Sequence, residues 1–218
     1  MGGVSSASPR VYGGVDADAR RAERRARLLE AGLDLLGTGG LQATTLRKVC
    51  EHAGLAARYF YESFPDLDSL IVAVFDDIVE QLVRAGTEAL ADAPADTRGR
   101  LRTGLGTAID FIGDDPRKGH VVLTVAMGSP PLAERRLSAG ERIARLVADR
   151  TRDAYGDGEA PSDRHLILIS RFLVGGFAET LTAWMRDPST PRDRLLDECV
   201  ELFLATTSAL ATLRASDS

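Results

Sequence analysis

Cysteine is nearly missing from this 218-residue chain. Only Cys50 and Cys199 occur, far apart and inside apolar patterns, which excludes a disulfide framework or a clustered zinc site and reads both thiols as small buried hydrophobes. Histidine is as scarce, with His52, His120 and His165 alone. None of the three pairs with a nucleophile or a second ligand: Cys50 and His52 stand two positions apart, on different faces of a helix. The glycines at 37, 39 and 40 and at 104 and 106 fit neither G-x-G-x-x-G nor G-x-x-x-x-G-K-[ST]. No catalytic residue, metal site or cofactor is therefore expected, and the enzyme class is disfavoured. Long uncharged runs are absent too. The longest stretch without Asp, Glu, Lys or Arg, residues 119–133, contains His120 and two prolines and falls short of the roughly 20 apolar residues that cross a bilayer. No membrane association is expected from it. The first eighteen residues are rich in Gly and Ser and have no continuous apolar core, unlike a secretory leader, so the expectation is a disordered tail over 1–18 on a cytoplasmic protein.

What is present is 44% hydrophobic and 27% charged residues with a formal net charge of -5, the composition of an ordinary globular chain long enough to bury a sizeable core. The charge is unevenly spread. Residues 1–60 hold nine basic against six acidic side chains, and the remainder eighteen against twenty-six. Arg20, Arg21, Arg24, Arg25 and Arg27 crowd into eight positions, which suits a phosphate-facing arm and equally a solvated helix face.

All nine prolines lie at the edges of periodic segments, where proline starts or stops helices without breaking one. Ala22, Ala26, Leu29, Leu33 and Leu36 line one face of a first helix that ends at Gly39 and Gly40. Thr44 or Thr45 caps a short second helix with Leu46, Val49, Cys50 and Ala53 on one side, ended by Gly54. A third short helix runs from about Ala56 to Ser63, and a fourth starts near Asp66 with Leu67, Leu70, Ile71, Val74, Ile78 and Leu82 inward. Further helices are predicted near 97–113, 117–128, 132–155, 163–186 and 192–213. Alternating β patterns are absent, so the fold class is all-α.

The stretch from Thr44 to Phe64, T-T-L-R-K-V-C-E-H-A-G-L-A-A-R-Y-F-Y-E-S-F, reads as a helix-turn-helix. Leu46, Val49, Cys50, Leu55, Phe60 and Phe64 face inward, which leaves Ala56, Ala57, Arg58, Tyr59, Tyr61 and Glu62 on the outer side of a helix able to enter a major groove. Four of the chain's twelve aromatics fall within residues 59–64, more than a two-turn helix needs for packing. Tyrosine hydroxyls bond phosphate oxygens, and Arg58 can do the same or read a guanine edge.

These residues resemble the N-terminal DNA-binding domain of the tetracycline-repressor (TetR) family of bacterial transcription regulators. The matching elements are L-L-E-A-G-L-D-L-L (28–36), G-G-L-Q-A-T-T-L-R-K-V (39–49), A-G-L (53–55) and F-Y-x-x-F followed by an apolar helix (60–70). The resemblance implies a tail over 1–18, a DNA-binding domain over 19–65 and a helical regulatory and dimerisation domain over 66–218. It places Thr44 on a phosphate, Ala56, Ala57, Arg58 and Tyr59 in the groove and Tyr61 on the backbone, and Thr45 with Arg20, Arg21 and Arg24 join them as DNA-binding residues. Two positions depart from the family pattern: Ser63 stands where a His is frequent, and Leu67 where a phosphate-binding Lys commonly opens the fourth helix.

Beyond Val74 the resemblance implies a domain that dimerises through its last two long helices and encloses a small-molecule pocket. Phe111, His120, Met127, Phe172, Phe177 and Trp184 are the expected pocket walls, and Gly175, Gly176, Leu195, Leu202 and Leu210 the expected dimer contacts. The glycine pair forgoes about 1 kcal/mol of helix propensity per residue relative to Ala, which a close helix-helix approach would explain. The partners expected are a palindromic double-stranded operator, a second copy of the chain, and an apolar or aromatic effector. The function expected is a ligand-responsive regulator, a repressor; the alternative is an all-α small-molecule carrier or sensor that does not act on DNA.

Overall fold

In the computed structural model of the chain, residues 12–155 and 162–208 are described, and among them there are helices and no strand. Helix α1 (Tyr12–Ala43) begins inside the segment expected as tail, while residues 1–11 lie outside the described residues. Its buried face is Leu28, Ala31, Leu33 and Leu36, whereas Ala22 and Ala26 are exposed. The part of α1 that is buried in the core thus starts at Leu28. Its backbone breaks at Gly40, where φ of 67° and ψ of -167° suit a residue without a Cβ.

Helix α2 (Leu46–Ala53) is capped by Thr45, whose hydroxyl accepts from the Lys48 N–H at 3.3 Å. It ends on Gly54 in the left-handed region, whose N–H donates to the Glu51 carbonyl at 3.1 Å, the glycine stop read from the sequence. Helix α3 (Ala57–Ser63) follows, then α4 (Leu67–Ala91). The Asp66 carboxylate caps α4 by accepting from the Ser69 N–H at 2.7 Å, a bond that holds Asp66 below the usual carboxylate range. Leu28, Leu36, Val49, Phe60 and Leu70 are fully buried between these four helices. Each such side chain contributes roughly 1.5–3 kcal/mol on leaving water. Val121, Val125, Ala126 and Leu132 belong to the same core, so the helix-turn-helix unit and part of the remaining chain share one apolar body across the boundary expected at 65.

The rest comprises α5 (Thr97–Asp114), α6 (Pro116–Gly119), a π-helical turn (His120–Val125), α7 (Ala126–Gly128), α8 (Pro130–Tyr155), α9 (Asp163–Arg186) and α10 (Arg192–Ser208). The π turn interrupts what the sequence reads as one helix over 117–128; such widened turns recur at functional sites. A second core joins α5, α8, α9 and α10 through Ile109, Ala148, Leu166, Leu196 and Val200. On its rim Arg192 pairs with Asp110, Arg102 with Asp197 and Arg98 with Glu201.

Burial corrects one expected dimer contact. Leu195, expected at a dimer contact, is 6% exposed inside this second core, because α10 turns Leu195, Cys199 and Phe203 toward α5 and α9. Leu202 points the other way and is 65% exposed, while Leu210 lies outside the described residues. On α9 the stripe Leu166, Ser170, Leu173 and Leu181 is likewise consumed within the protomer, and the opposite face carries exposed Leu168, Phe172, Gly175 and Gly176. A Cβ on either glycine would meet nothing within 4 Å, so no close approach inside the protomer accounts for them. Among the described helices α9 alone is long and apolar enough to cross a membrane, with a mean hydropathy of 1.5 over its richest window, of which 28% is buried. Arg171 and Glu179 interrupt its uncharged run.

Candidate nucleic-acid interface and ligand cavity

Helix α3 is anchored by Phe60, fully buried, with Phe64 packed 5.8 Å from it ring to ring. That anchorage turns Ala56, Ala57 and Arg58 to solvent and leaves Tyr61 60% exposed, with Tyr59 half-buried at its edge. The Arg58 guanidinium lies 4.5 Å from the Tyr59 ring centroid and donates to the Tyr59 hydroxyl at 2.5 Å. Arg24 lies 4.7 Å from the same ring and pairs with Glu62 at 3.3 Å.

The arginine cluster thus divides by position. Arg24 ties α1 to α3, Arg25 lies over the Phe64 ring, and Arg27 donates to the Ala53 carbonyl at the end of α2. These three hold the reading helix in place. Arg20 and Arg21 sit one turn earlier on the exposed part of α1, Arg21 beside Asp18 at 3.7 Å. Arg24, expected as a phosphate contact, is therefore committed within the protein, with only 24% of its side chain exposed.

Thr44 departs further from expectation. It is 3% exposed and its hydroxyl donates to the Gly40 carbonyl at 2.9 Å, so the group meant for a phosphate closes the kink of α1 instead. Thr45, the cap of α2, is the exposed hydroxyl at this corner. Below it the Asp34 carboxylate lies 3.2 Å from Nε2 of His52 on α2 and 3.3 Å from Arg117 on α6. Arg117 also reaches Glu30 and Asp115, both at 2.9 Å. Its hydrogen bonds to these carboxylates raise the Arg117 pKa, and Arg117 in turn lowers that of Asp115.

The second feature is a cavity of about 1110 Å³ between α4 and α5 on one side and α8, α9 and α10 on the other. Its wall is mostly aliphatic, with Leu82, Val83 and Leu90 of α4 and Leu105 of α5 facing Ile143 and Val147 of α8. Of the expected walls Met127 and Phe177 line it, and Val122 and Leu123 of the π turn do as well. Four expected walls stand elsewhere. Phe111 packs between the two cores beneath Lys118, and Trp184 donates to the Thr190 carbonyl at 2.9 Å. Phe172 is 69% exposed on the outer face of α9, and His120 lies in the π turn off the cavity wall. Small residues rather than aromatics make the space: Gly86, Gly104, Ala108 and Gly140 line it.

Residues 28–74 match the sequence profile described as bacterial regulatory proteins, tetR family. The chain is 29% identical over 188 residues to the HTH-type transcriptional repressor KstR of Mycolicibacterium smegmatis, spanning 84% of this chain and 88% of that one. Among solved structures it is similar to the transcriptional regulator FadR of Bacillus subtilis in complex with stearoyl-CoA, with a TM-score of 0.71 and 16% identity over 83% of this chain and 98% of that one. A tetR-family transcriptional regulator from Streptomyces coelicolor gives a TM-score of 0.70 and 21% identity over 88% and 83% of the two chains. At those identities the solved structures speak for the fold.

Proposed function

We propose that this chain, a TetR-family transcription regulator, represses by binding a palindromic operator as a homodimer and leaves the DNA when a small apolar molecule fills the cavity behind α4. The observation that carries the DNA reading is the outward face of α3, where Arg58 and Tyr61 are exposed and Tyr59 is half-buried at the edge, on a helix that the buried Phe60 fixes. One short helix reads few base pairs, so two copies on a two-fold site supply the specificity. KstR is a repressor by name, which supports the repressor reading, and FadR holds stearoyl-CoA, which supports a regulator that takes a small-molecule ligand.

Control would run through two paths. Helix α4 lines the cavity from Phe75 to Leu90 and packs Leu70 and Ile71 into the helix-turn-helix core. The π turn lines it with Val122 and Leu123, and α6 just before it holds Arg117 on Asp34 of α1. A ligand that moves either element changes the setting of α3, and linkage requires that it bind the DNA-bound form more weakly by the same factor, typically 1–3 kcal/mol. The test is fluorescence anisotropy with DNA fragments flanking the chain's own gene, with a gel-shift search of genomic fragments behind it. Salt-sensitive binding to a palindrome is the expected result. Failure to bind any fragment would leave the carrier or sensor reading in its place.

A further inference from the structure

One wall of the cavity is interrupted. Helices α8 and α9 run antiparallel, held in register by Arg152 on Asp163 at 2.7 Å and by Arg171 on Glu141 at 2.7 Å. Four positions along each helix from the second pair, Leu137 of α8 comes opposite Gly175 of α9. Both residues line the cavity and both are exposed, Leu137 by 65%. A Cβ on Gly175 would meet nothing within 4 Å, so the wall has a gap there that no side chain among the described residues covers. The cavity thus reaches the outer face of α9. An apolar chamber open at its side holds an apolar guest less well than a closed one, because the guest surface left at the gap stays wet.

The face onto which the gap opens is suited to a copy of itself. Phe172 stands out from it, 69% exposed and off the cavity wall, one turn before the glycines at 175 and 176. Arg171 and Glu179, both exposed and both in the cavity lining, lie four positions to either side of Gly175 with opposite charge. A two-fold contact pairs residue i with j and j with i, so a surface that suits it must carry both a knob and its hole, and both signs of charge. Residues 171–179 carry all four. A two-fold turn about their middle seats the ring of one copy in the glycine gap of the other and brings Arg171 toward Glu179.

We propose that each effector cavity is completed by the other copy: in the homodimer, Phe172 of the partner subunit covers the gap at Gly175. This rests on the reading of the chain as an effector-binding homodimer and adds the side chain that closes the site. It also ties ligand to assembly. A molecule in the cavity touches the ring of the second copy, so by linkage whatever binds there strengthens the pairing, and pairing strengthens the binding.

The experiment is titration of the full chain, without DNA, with the neutral dye Nile red, whose emission reports how dry its surroundings are, while light scattering reads assembly on the same samples. Gly86→Phe with Gly104→Phe sends two side chains into the cavity and should abolish binding, which locates the dye there. Phe172→Ala should weaken binding about tenfold, the order for one apolar anchor lost from a desolvated site, and shift the emission to the red. Mixed dimers decide whether the ring acts across the pair. The filled subunit has no cavity of its own but still carries Phe172, so exchange with Phe172→Ala subunits should restore the parental affinity in the mixed species. Leu168→Glu leaves Phe172 in place and should give monomers that hold the dye as loosely as Phe172→Ala does, a result that stands even where Phe172→Ala itself dissociates. No restoration on mixing, or monomers that bind as tightly as the parent dimer, would overturn this proposal alone. A parent chain that is monomeric, or that binds no dye the filled variant excludes, would overturn the reading beneath it as well.

Discussion

Arg58 projects from the solvent side of α3 while Thr44 is sealed at the kink of α1, so removing each has a different physical consequence. Arg58→Ala should weaken operator binding by about 1–3 kcal/mol and relax preference at one base position per half-site, with the protein's melting curve unmoved. Thr44→Val strands the Gly40 carbonyl without its donor, at about 1–3 kcal/mol of fold stability, and should lower the denaturation midpoint before it touches DNA affinity. Denaturant melts read beside anisotropy titrations separate the two. The thiols offer a second check at this scale. Cys50 and Cys199 are buried and unpaired, and burial pushes both thiols up from their ordinary range. A thiol kept protonated is a poor nucleophile. Native protein should therefore react with a thiol reagent far more slowly than the denatured chain, and equal rates would contradict this packing.

At the scale of elements, caps and stops were the legible part. Thr45, Gly54, Asp66 and Pro116 each bound a helix where local chemistry says they must, and the inward residues of α2, α3 and α4 follow from their spacing. The side on which α9 and α10 are buried was not legible, since both helices are apolar over a wide arc and only the neighbour that arrives decides which stripe it covers. The contact between α1 and α6 was hidden for a related reason: Glu30 and Asp34 lie more than eighty positions from Arg117, and no periodicity joins them. That contact is tight. A Cβ on Gly37 would stand 2.4 Å from Cβ of Arg117 and 2.8 Å from its Cα, so Gly37→Ala must push the two helices apart. If α6 carries the effector's signal, Arg117→Gln should leave operator affinity measurable while reducing its response to effector, read as a smaller shift between titrations with and without it. The same variant has a pH signature. Asp115 is held below its unfolded value by Arg117, so its contribution is present above about pH 4, the ordinary carboxylate range, and is lost as pH falls through the lowered value. Without Arg117 the acid limb of the stability profile should flatten.

For the whole molecule the deciding surface is the outer face of α9. Leu168, Phe172, Gly175 and Gly176 recur at intervals of four, three and one, all exposed, with the exposed Leu202 on the neighbouring α10. At 24 residues α9 is about 36 Å long, length enough for the roughly 1,200–2,000 Å² that a stable pairing buries. In the proposed dimer the glycines would serve a second copy of the helix rather than a neighbour in the same chain. Phe172→Glu sets a charge in the middle of that face, and Gly176→Leu holds two backbones apart. Each should give monomers by light scattering, with operator affinity lost because two half-sites are no longer read together, while the melting of the protomer stays near that of the parent. Leu195→Ala behaves in the opposite sense: it opens a hole in the protomer's own core at about 2–5 kcal/mol, lowering stability before it changes assembly. Were Phe172→Glu to remain a dimer, the apolar face of α9 would need another partner and the two recognition helices another means of facing a palindrome.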